Sequence, residues 1–183
     1  MQSGRRALAV GALSLMMACG LGAGLALRDM ADHPKRYAKW VAHLQGLQCV
    51  DSDGLQLQRK NNDRGPVAVL RFLQLQGIKE ELERLEAGMM DLPGGKSVRK
   101  MKQVIEGYGF ATRARRITEE DLDRIPLPSI ALYKRHHFVL VEERRADETL
   151  VIFDPSLGRC RVKATRLLRD TEGMMLLIWK PVP

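Results

Sequence analysis

Gln58-Arg59-Lys60-Asn61-Asn62-Asp63-Arg64-Gly65-Pro66 runs directly into the apolar stretch Val67–Gln76. Asp63 is a helix N-cap by type, and Pro66 falls in the first turn, where its missing N–H costs nothing. Val67, Leu70, Phe72, Leu73 and Leu75 make the following helix apolar, and Gly77 ends it. The residue at the head of this helix, Arg64, is the one on which the functional reading turns.

Downstream, the helical period continues for two more segments. Lys79–Ala87 places Leu82 and Leu85 on one side and meets Gly88 at its end; Pro93-Gly94-Gly95 is a break. Ser97 then caps a helix over Val98–Glu106, with Val98, Met101, Val104 and Ile105 inward and Gly107 closing it. From Phe110 the period becomes that of strands. Phe110–Ile117 leads to a small helix around Glu119–Arg124. Strands are predicted at Ser129–Tyr133, His137–Glu143, Thr149–Asp154, Arg159–Lys163 and Met174–Trp179, with a helical turn at Thr165–Arg169. Ala146-Asp147-Glu148 and Pro155-Ser156-Leu157-Gly158 supply turns between them. Helices first and antiparallel sheet second is a segregated α+β layout. No internal repeat interrupts it.

Upstream, Arg5-Arg6 precede an uncharged run, Ala7–Leu27, of 21 residues. As a helix it would extend roughly 31 Å, enough to cross a hydrocarbon core of about 30 Å. Its full length suits an uncleaved signal anchor, since signal-peptide h-regions run only about 7–15 residues. A cleaved signal peptide would use Gly24-Leu25-Ala26, and a lipoprotein signal would acylate Cys19 within Met16-Met17-Ala18-Cys19. Each of the three carries Arg28 onward across the membrane, because Arg5-Arg6 favour a cytoplasmic N-terminus. Three regions follow: residues 1–28 as anchor or signal, 29–54 as a juxtamembrane connector, and 55–183 as the folded domain. Within the connector, Lys35–Leu47 has the spacing of a short helix, and Asp51-Ser52-Asp53-Gly54 is a turn cluster. The domain is expected in the periplasm or at the cell exterior of a bacterium, tethered through residues 7–27.

The 183-residue chain carries a net charge of +8, or +6 without Arg5 and Arg6. Its basic residues are scattered and interleaved with acids such as Glu80, Glu81 and Glu83. At 5% aromatic content it lacks the stacking surface of a single-strand binder, so no nucleic-acid partner is expected. Anionic lipid or an acidic partner suits the charge better. No zinc-ligand spacing occurs, and no metal or cofactor is expected. In an exported protein Cys49 and Cys160 are either a disulfide or two unrelated buried thiols, since sequence does not set their separation.

The order Gln58, Asp63, Gly65-Pro66, Gly107-Tyr108-Gly109-Phe110, Pro126-Leu127-Pro128, His137-Phe138-Val139, Asp154-Pro155 and Gly158 resembles the bacteriocin-processing cysteine peptidase family (peptidase family C39). These are papain-like domains that cleave double-glycine leaders. The resemblance covers about Leu55 to Trp179 and implies a papain-like fold: a helical layer packed on an antiparallel sheet. In such a site a cysteine at a helix N-terminus becomes thiolate, a histidine moves its proton, a carboxylate or amide orients the histidine, and an upstream amide helps stabilise the oxyanion. The resemblance implies that role of base for His137, of orienter for Asp154, and of oxyanion-hole amide for Gln58.

The nucleophile position is occupied by Arg64, whose guanidinium cannot be deprotonated to attack a carbonyl. Cys49 lies fifteen positions upstream, and His136 falls on the opposite strand face from His137. By itself, His137 on an apolar strand reads as a core histidine and Asp154 before Pro155 as a strand-ending turn. The expectation is a degenerate, non-catalytic member: a membrane-tethered or exported pseudopeptidase that binds a peptide segment or an envelope protein. An active cysteine peptidase with another nucleophile and a purely structural envelope subunit are the alternatives.

Overall fold

The change of period at Phe110 marks a real division between helices and sheet, with one strand preceding it. Strand β1 (Gln48–Asp51) comes first, followed by α1 (Arg64–Leu75), α2 (Leu82–Met89) and α3 (Val98–Gly107). Next come β2 (Ala111–Arg116), β3 (Ser129–Tyr133), β4 (His137–Arg144), β5 (Thr149–Asp154) and β6 (Gly158–Lys163). Helix α4 (Ala164–Thr171) and β7 (Met174–Trp179) complete the order. This is a computed structural model, and it describes residues 47–51, 55, 57, 63–89, 98–133 and 137–182. The hydrophobic run at 7–27, most of the connector, Gln58, Pro93-Gly94-Gly95 and His136 lie outside the described residues. Among the described residues no helix is long and apolar enough to cross a membrane.

Among the described residues seven strands make one sheet in the order β1-β6-β5-β4-β3-β7-β2. Every pairing in it is antiparallel. Strands β3 to β6 are sequential neighbours, while β7 inserts between β3 and β2. Alternation assigns the two faces. Ile130, Phe138, Leu140, Phe153, Leu176 and Ile178 join the core formed with α1, α2 and α3. Tyr133 has the opposite parity from Ile130, and its hydroxyl reaches Asp170 of α4, so α4 covers the second face. Because both faces are covered, β4 and β5 carry unbroken buried runs, Phe138–Val141 and Leu150–Asp154.

Helix α1 is the central element. Gly65 through Leu70, with Phe72 and Leu73, are buried, as expected of a helix that is apolar around most of its circumference. Phe72 meets Phe110 edge-on, with ring centroids 4.9 Å apart, which ties α1 to the start of β2. Arg71 fixes it to the sheet through Glu142. Burying one large aliphatic or aromatic side chain contributes about 1.5–3 kcal/mol, so the α1 face accounts for much of the domain's cohesion.

Several local expectations are corrected. Helix α1 begins at Arg64 with Asp63 at the cap position, as its sequence implies, but Asp63 makes no side-chain capping bond; the first helical bond is Val67 N–H to Asp63 O at 2.9 Å. Leu75, at the end of the helix, is 42% exposed. Helix α2 begins three residues later than expected, because the Glu80 carboxylate accepts from Glu81 N–H and from Tyr108 Oη instead of entering a helical turn. It runs past Gly88 so that Met89 is buried. The small helix around Glu119–Arg124 is a series of turns closed by Asp121, whose carboxylate accepts from Thr118 N–H and from Arg115. The helical turn at Thr165–Arg169 is the full helix α4. Strand β1, in the stretch read as connector, joins the sheet edge: Gln48 pairs with Arg161 and Cys49 with Cys160.

Candidate functional site

The start of β4 and the end of β5 lie at the same end of the sheet. The register sets Leu140 opposite Phe153, which places Asp154 opposite Val139 and diagonal to His137 on one face. Diagonal pairs of this kind are within reach of long side chains. His137 Nε2 and Asp154 Oδ2 are 2.8 Å apart, with both side chains largely buried. A carboxylate can only accept, so Nε2 carries the hydrogen in this pair, and in the neutral ring Nδ1 is then the nitrogen with the lone pair. This is the tautomer that a general base requires.

Asp154 is itself held by its turn. Its second oxygen, Oδ1, accepts from Ser156 N–H at 2.7 Å, and Leu157 N–H donates to its carbonyl at 3.1 Å. Gly158, with φ of +89°, closes the turn into β6; few residues other than glycine adopt that backbone. The motif Asp-Pro-Ser-Leu-Gly therefore fixes the carboxylate from its own backbone, and the histidine is fixed by the carboxylate.

A second polar pair flanks the first. Tyr133 is the cross-strand partner of His137, and the two rings meet edge-on with centroids 6.4 Å apart. The Tyr133 hydroxyl donates to Asp170 Oδ2 at 2.5 Å. Burial, then the hydrogen bond and charge of Asp170, push the phenol up to about 12. Burial acts against charge on Asp170, but the Tyr133 hydrogen bond together with Arg169 and Arg166 hold its carboxyl below the usual range. The sequence reading missed this pair. Its only signal was Tyr133 facing His137 across the short 134–136 connection, and nothing in the spacing named Asp170 as partner.

On the α1 face, next to Phe138 in β4, lies a small apolar cavity of about 20 Å³. Val98 and Met101 of α3, Leu132, Phe138, Met174 and Leu176 line it. Val98, Leu132 and Met174 are half-buried and form its rim. Its walls are almost wholly apolar, so it favours a hydrocarbon group over water.

Arg64 is the first residue of α1 and is half-buried. The first turn carries no acidic residue, and a helix N-terminus favours an anion over a guanidinium. What the structure brings together is thus the His137–Asp154 pair; Arg64 heads the central helix, and Gln58 is outside the described residues. Among the described residues no group of three or more His, Cys, Asp or Glu side chains is placed to hold a metal.

The profile of the Peptidase C39 family matches residues 53–182, and the chain belongs to that family. Among solved structures it is similar to a double-glycine-motif protease from an AMS/PCAT transporter, in complex with its leader peptide. That likeness has a TM-score of 0.62 and 20% identity, covering 69% of this chain and 89% of that one. It is also similar to the peptidase domain of Streptococcus ComA, with TM-score 0.60 and 19% identity over 68% of this chain and 96% of that one. The N-terminal C39-like domain of a Vibrio parahaemolyticus toxin secretion ATP-binding protein gives TM-score 0.54 and 16% identity, over 66% and 98%. At such identities the likeness is one of fold, and it agrees with the papain-like α+β architecture. No curated protein sequence matches.

Proposed function

We propose that this chain is a pseudopeptidase: a C39 domain that binds an extended peptide segment and does not cut it. The observation that carries the reading is Arg64 at the first position of α1, where the family's chemistry needs a thiolate. His137 and Asp154 can position a base, but a base needs a nucleophile to activate. Removing one member of such a unit leaves only the modest assistance of binding and oxyanion stabilisation. The similar structure with a bound leader peptide supports a peptide as ligand, and the apolar cavity beside Phe138 suits one aliphatic anchor of such a peptide. The run at residues 7–27 supports a membrane tether, with the domain on the far side of the membrane from Arg5-Arg6. There the partner is a peptide or an envelope protein.

The test uses the purified full chain and a fluorescently labelled double-glycine leader peptide. Polarisation reports binding, and mass spectrometry of the same samples reports cleavage. Binding without cleavage is expected, and Leu132→Glu at the cavity rim weakens it by about tenfold or more. Turnover by the wild-type protein that disappears in His137→Ala would overturn the reading and restore an active peptidase. Protease protection in oriented vesicles checks sidedness: residues 28–183 are expected opposite Arg5-Arg6.

A further inference from the structure

Two cysteines separated by most of the domain in sequence are directly opposed in space. Cys49 of β1 and Cys160 of β6 are register partners in an antiparallel ladder. Directly opposite residues in such a ladder lie on one face with Cα atoms about 4.5–5.5 Å apart. A disulfide needs Cα atoms about 4.4–6.8 Å apart, so the backbone is already within range. The structure holds both residues as thiols. From this register we infer that Cys49 and Cys160 are a built site of oxidative modification, which closes to an intrachain cross-strand disulfide.

Three features favour closure. First, among the described residues β1 is an edge strand, laddered on one side only, to β6. It therefore takes up the small inward shift of Cβ that a bond requires, whereas a central strand would have to move its neighbours. Second, the two sulfurs differ in access: Cys160 is fully buried and Cys49 is half-buried. An external disulfide therefore meets Cys49 first. Third, the register slips only after Cys49, at an irregularity between it and Asp51, which pairs again with Arg159. The pair itself sits in regular pairing with Gln48 and Arg161 beside it.

The chemistry balances as thiol–disulfide exchange. The Cys49 thiolate attacks one sulfur of a disulfide donor, such as glutathione disulfide or a dithiol oxidase in its disulfide form, and releases one donor thiol. The Cys160 thiolate then attacks the Cys49 sulfur of the mixed disulfide and releases the second. Two protein thiols and one donor disulfide become one protein disulfide and two donor thiols. The product ties the strand that follows the N-terminal region to the interior of the sheet. The closed loop contains α1 to α3 and the His137–Asp154 pair.

The experiment takes the full chain through glutathione buffers of rising oxidised fraction. Proteolysis without reduction and mass spectrometry should show the Cys49 and Cys160 peptides joined, with two hydrogens lost per chain. Closing a loop of this length raises Tm by roughly 5–15 °C relative to the reduced protein. Cys49→Ser, on the half-exposed strand, should match the reduced wild type and show no rise on oxidation. Cys160→Ala tests the buried partner, and Cys19→Ser should leave the rise intact. A stable glutathione adduct on Cys49 with Cys160 still reduced overturns the inference. A bond from either residue to Cys19, or an oxidative rise in Tm that survives Cys49→Ser, overturns it as well. None of these outcomes depends on peptide binding, so the proposed function can fail independently.

Discussion

Arg71 of α1 and Glu142 of β4 are joined across the interface between helices and sheet, with Nε 2.7 Å from Oε1. Glu142 sits where the β4–β5 register slips between Val141 and Glu143, a bulge that re-aims one side chain. Its other oxygen accepts from Arg159 Nε at 2.8 Å, and its side chain is only 4% exposed. Arg71 also lies over the Phe153 ring at 5.9 Å. One buried carboxylate therefore links α1, β4 and β6.

Breaking that link should be costly, because both guanidiniums lose a shared counter-charge at a buried site. The arginines keep partial access to water, which moderates the loss. Glu142→Ala is expected to destabilise the domain by about 2–4 kcal/mol in urea unfolding, and Glu142→Gln by about half as much. A loss below about 0.5 kcal/mol for the alanine variant would show that the link contributes nothing net.

Tyr133 and Asp170 set an alkaline limit. The folded phenol, raised to about 12, lies above its unfolded value near 10. The stabilisation it contributes is complete below about pH 10 and is lost as pH rises toward 12. Asp170, held low, acts at the other end: its contribution is present above the ordinary carboxyl range and is lost as pH falls through the depressed value. Among the three tyrosines, Tyr37, Tyr108 and Tyr133, Tyr133→Phe should remove the latest-titrating phenolate absorbance and flatten stability between pH 10 and 12. An unchanged titration curve would refute the assignment.

Gly173 follows α4 with φ of +72°, and a Cβ there would stand 2.4 Å from Ile117 O. That carbonyl cannot retreat freely, because Ile117 N–H donates to Gly173 O at 2.8 Å just beyond the Arg116–Met174 end of the β2–β7 ladder. Gly77 has a similar φ of +74° but open space around it. Gly77→Ala should cost about 1–2 kcal/mol from backbone strain alone, and Gly173→Ala clearly more. Equal losses in denaturant unfolding would mean that the close approach carries no energy.

Asp154 supports two neighbours at once, His137 Nε2 and Ser156 N–H. Asp154→Ala should cost about 1–3 kcal/mol and speed amide exchange at Ser156. Asp154→Asn retains one acceptor oxygen and should fall between. If exchange at Ser156 is unaltered in the alanine variant, the turn is held by something other than this carboxylate.

Much of this arrangement was legible in residues. Turn-forming Ala146-Asp147-Glu148 and Pro155–Gly158 bracket apolar runs of strand length, so the β4-β5-β6 meander could be read directly. His137 beginning one run and Asp154 ending the next then had to meet. Other parts were hidden for physical reasons. Strand β1 has four residues and little apolar alternation, and its strand character comes with its pairing to β6. The start of α1 was legible from Asp63 and Pro66, but the burial of Gly65 and Pro66 against the core is a tertiary effect that capping chemistry does not reveal. Glu80 looked like a helix residue until its bond to Tyr108, 28 positions on, drew it out. The covering of the second sheet face by α4 follows from partners such as Tyr133 and Asp170 that no local pattern connects.

The pairing of β1 with β6 also orders events in time. Gln48 finds Arg161 only 113 positions later in the chain, whereas β4, β5 and β6 close through short turns. Local hairpins form early, and distant pairings must first overcome the entropy of closing a long loop. A chain emerging from its N-terminus therefore exposes β1 long before its partner exists. Synthesis must pass Lys163 before this edge can be seated, so the first of the described strands waits for nearly the whole chain.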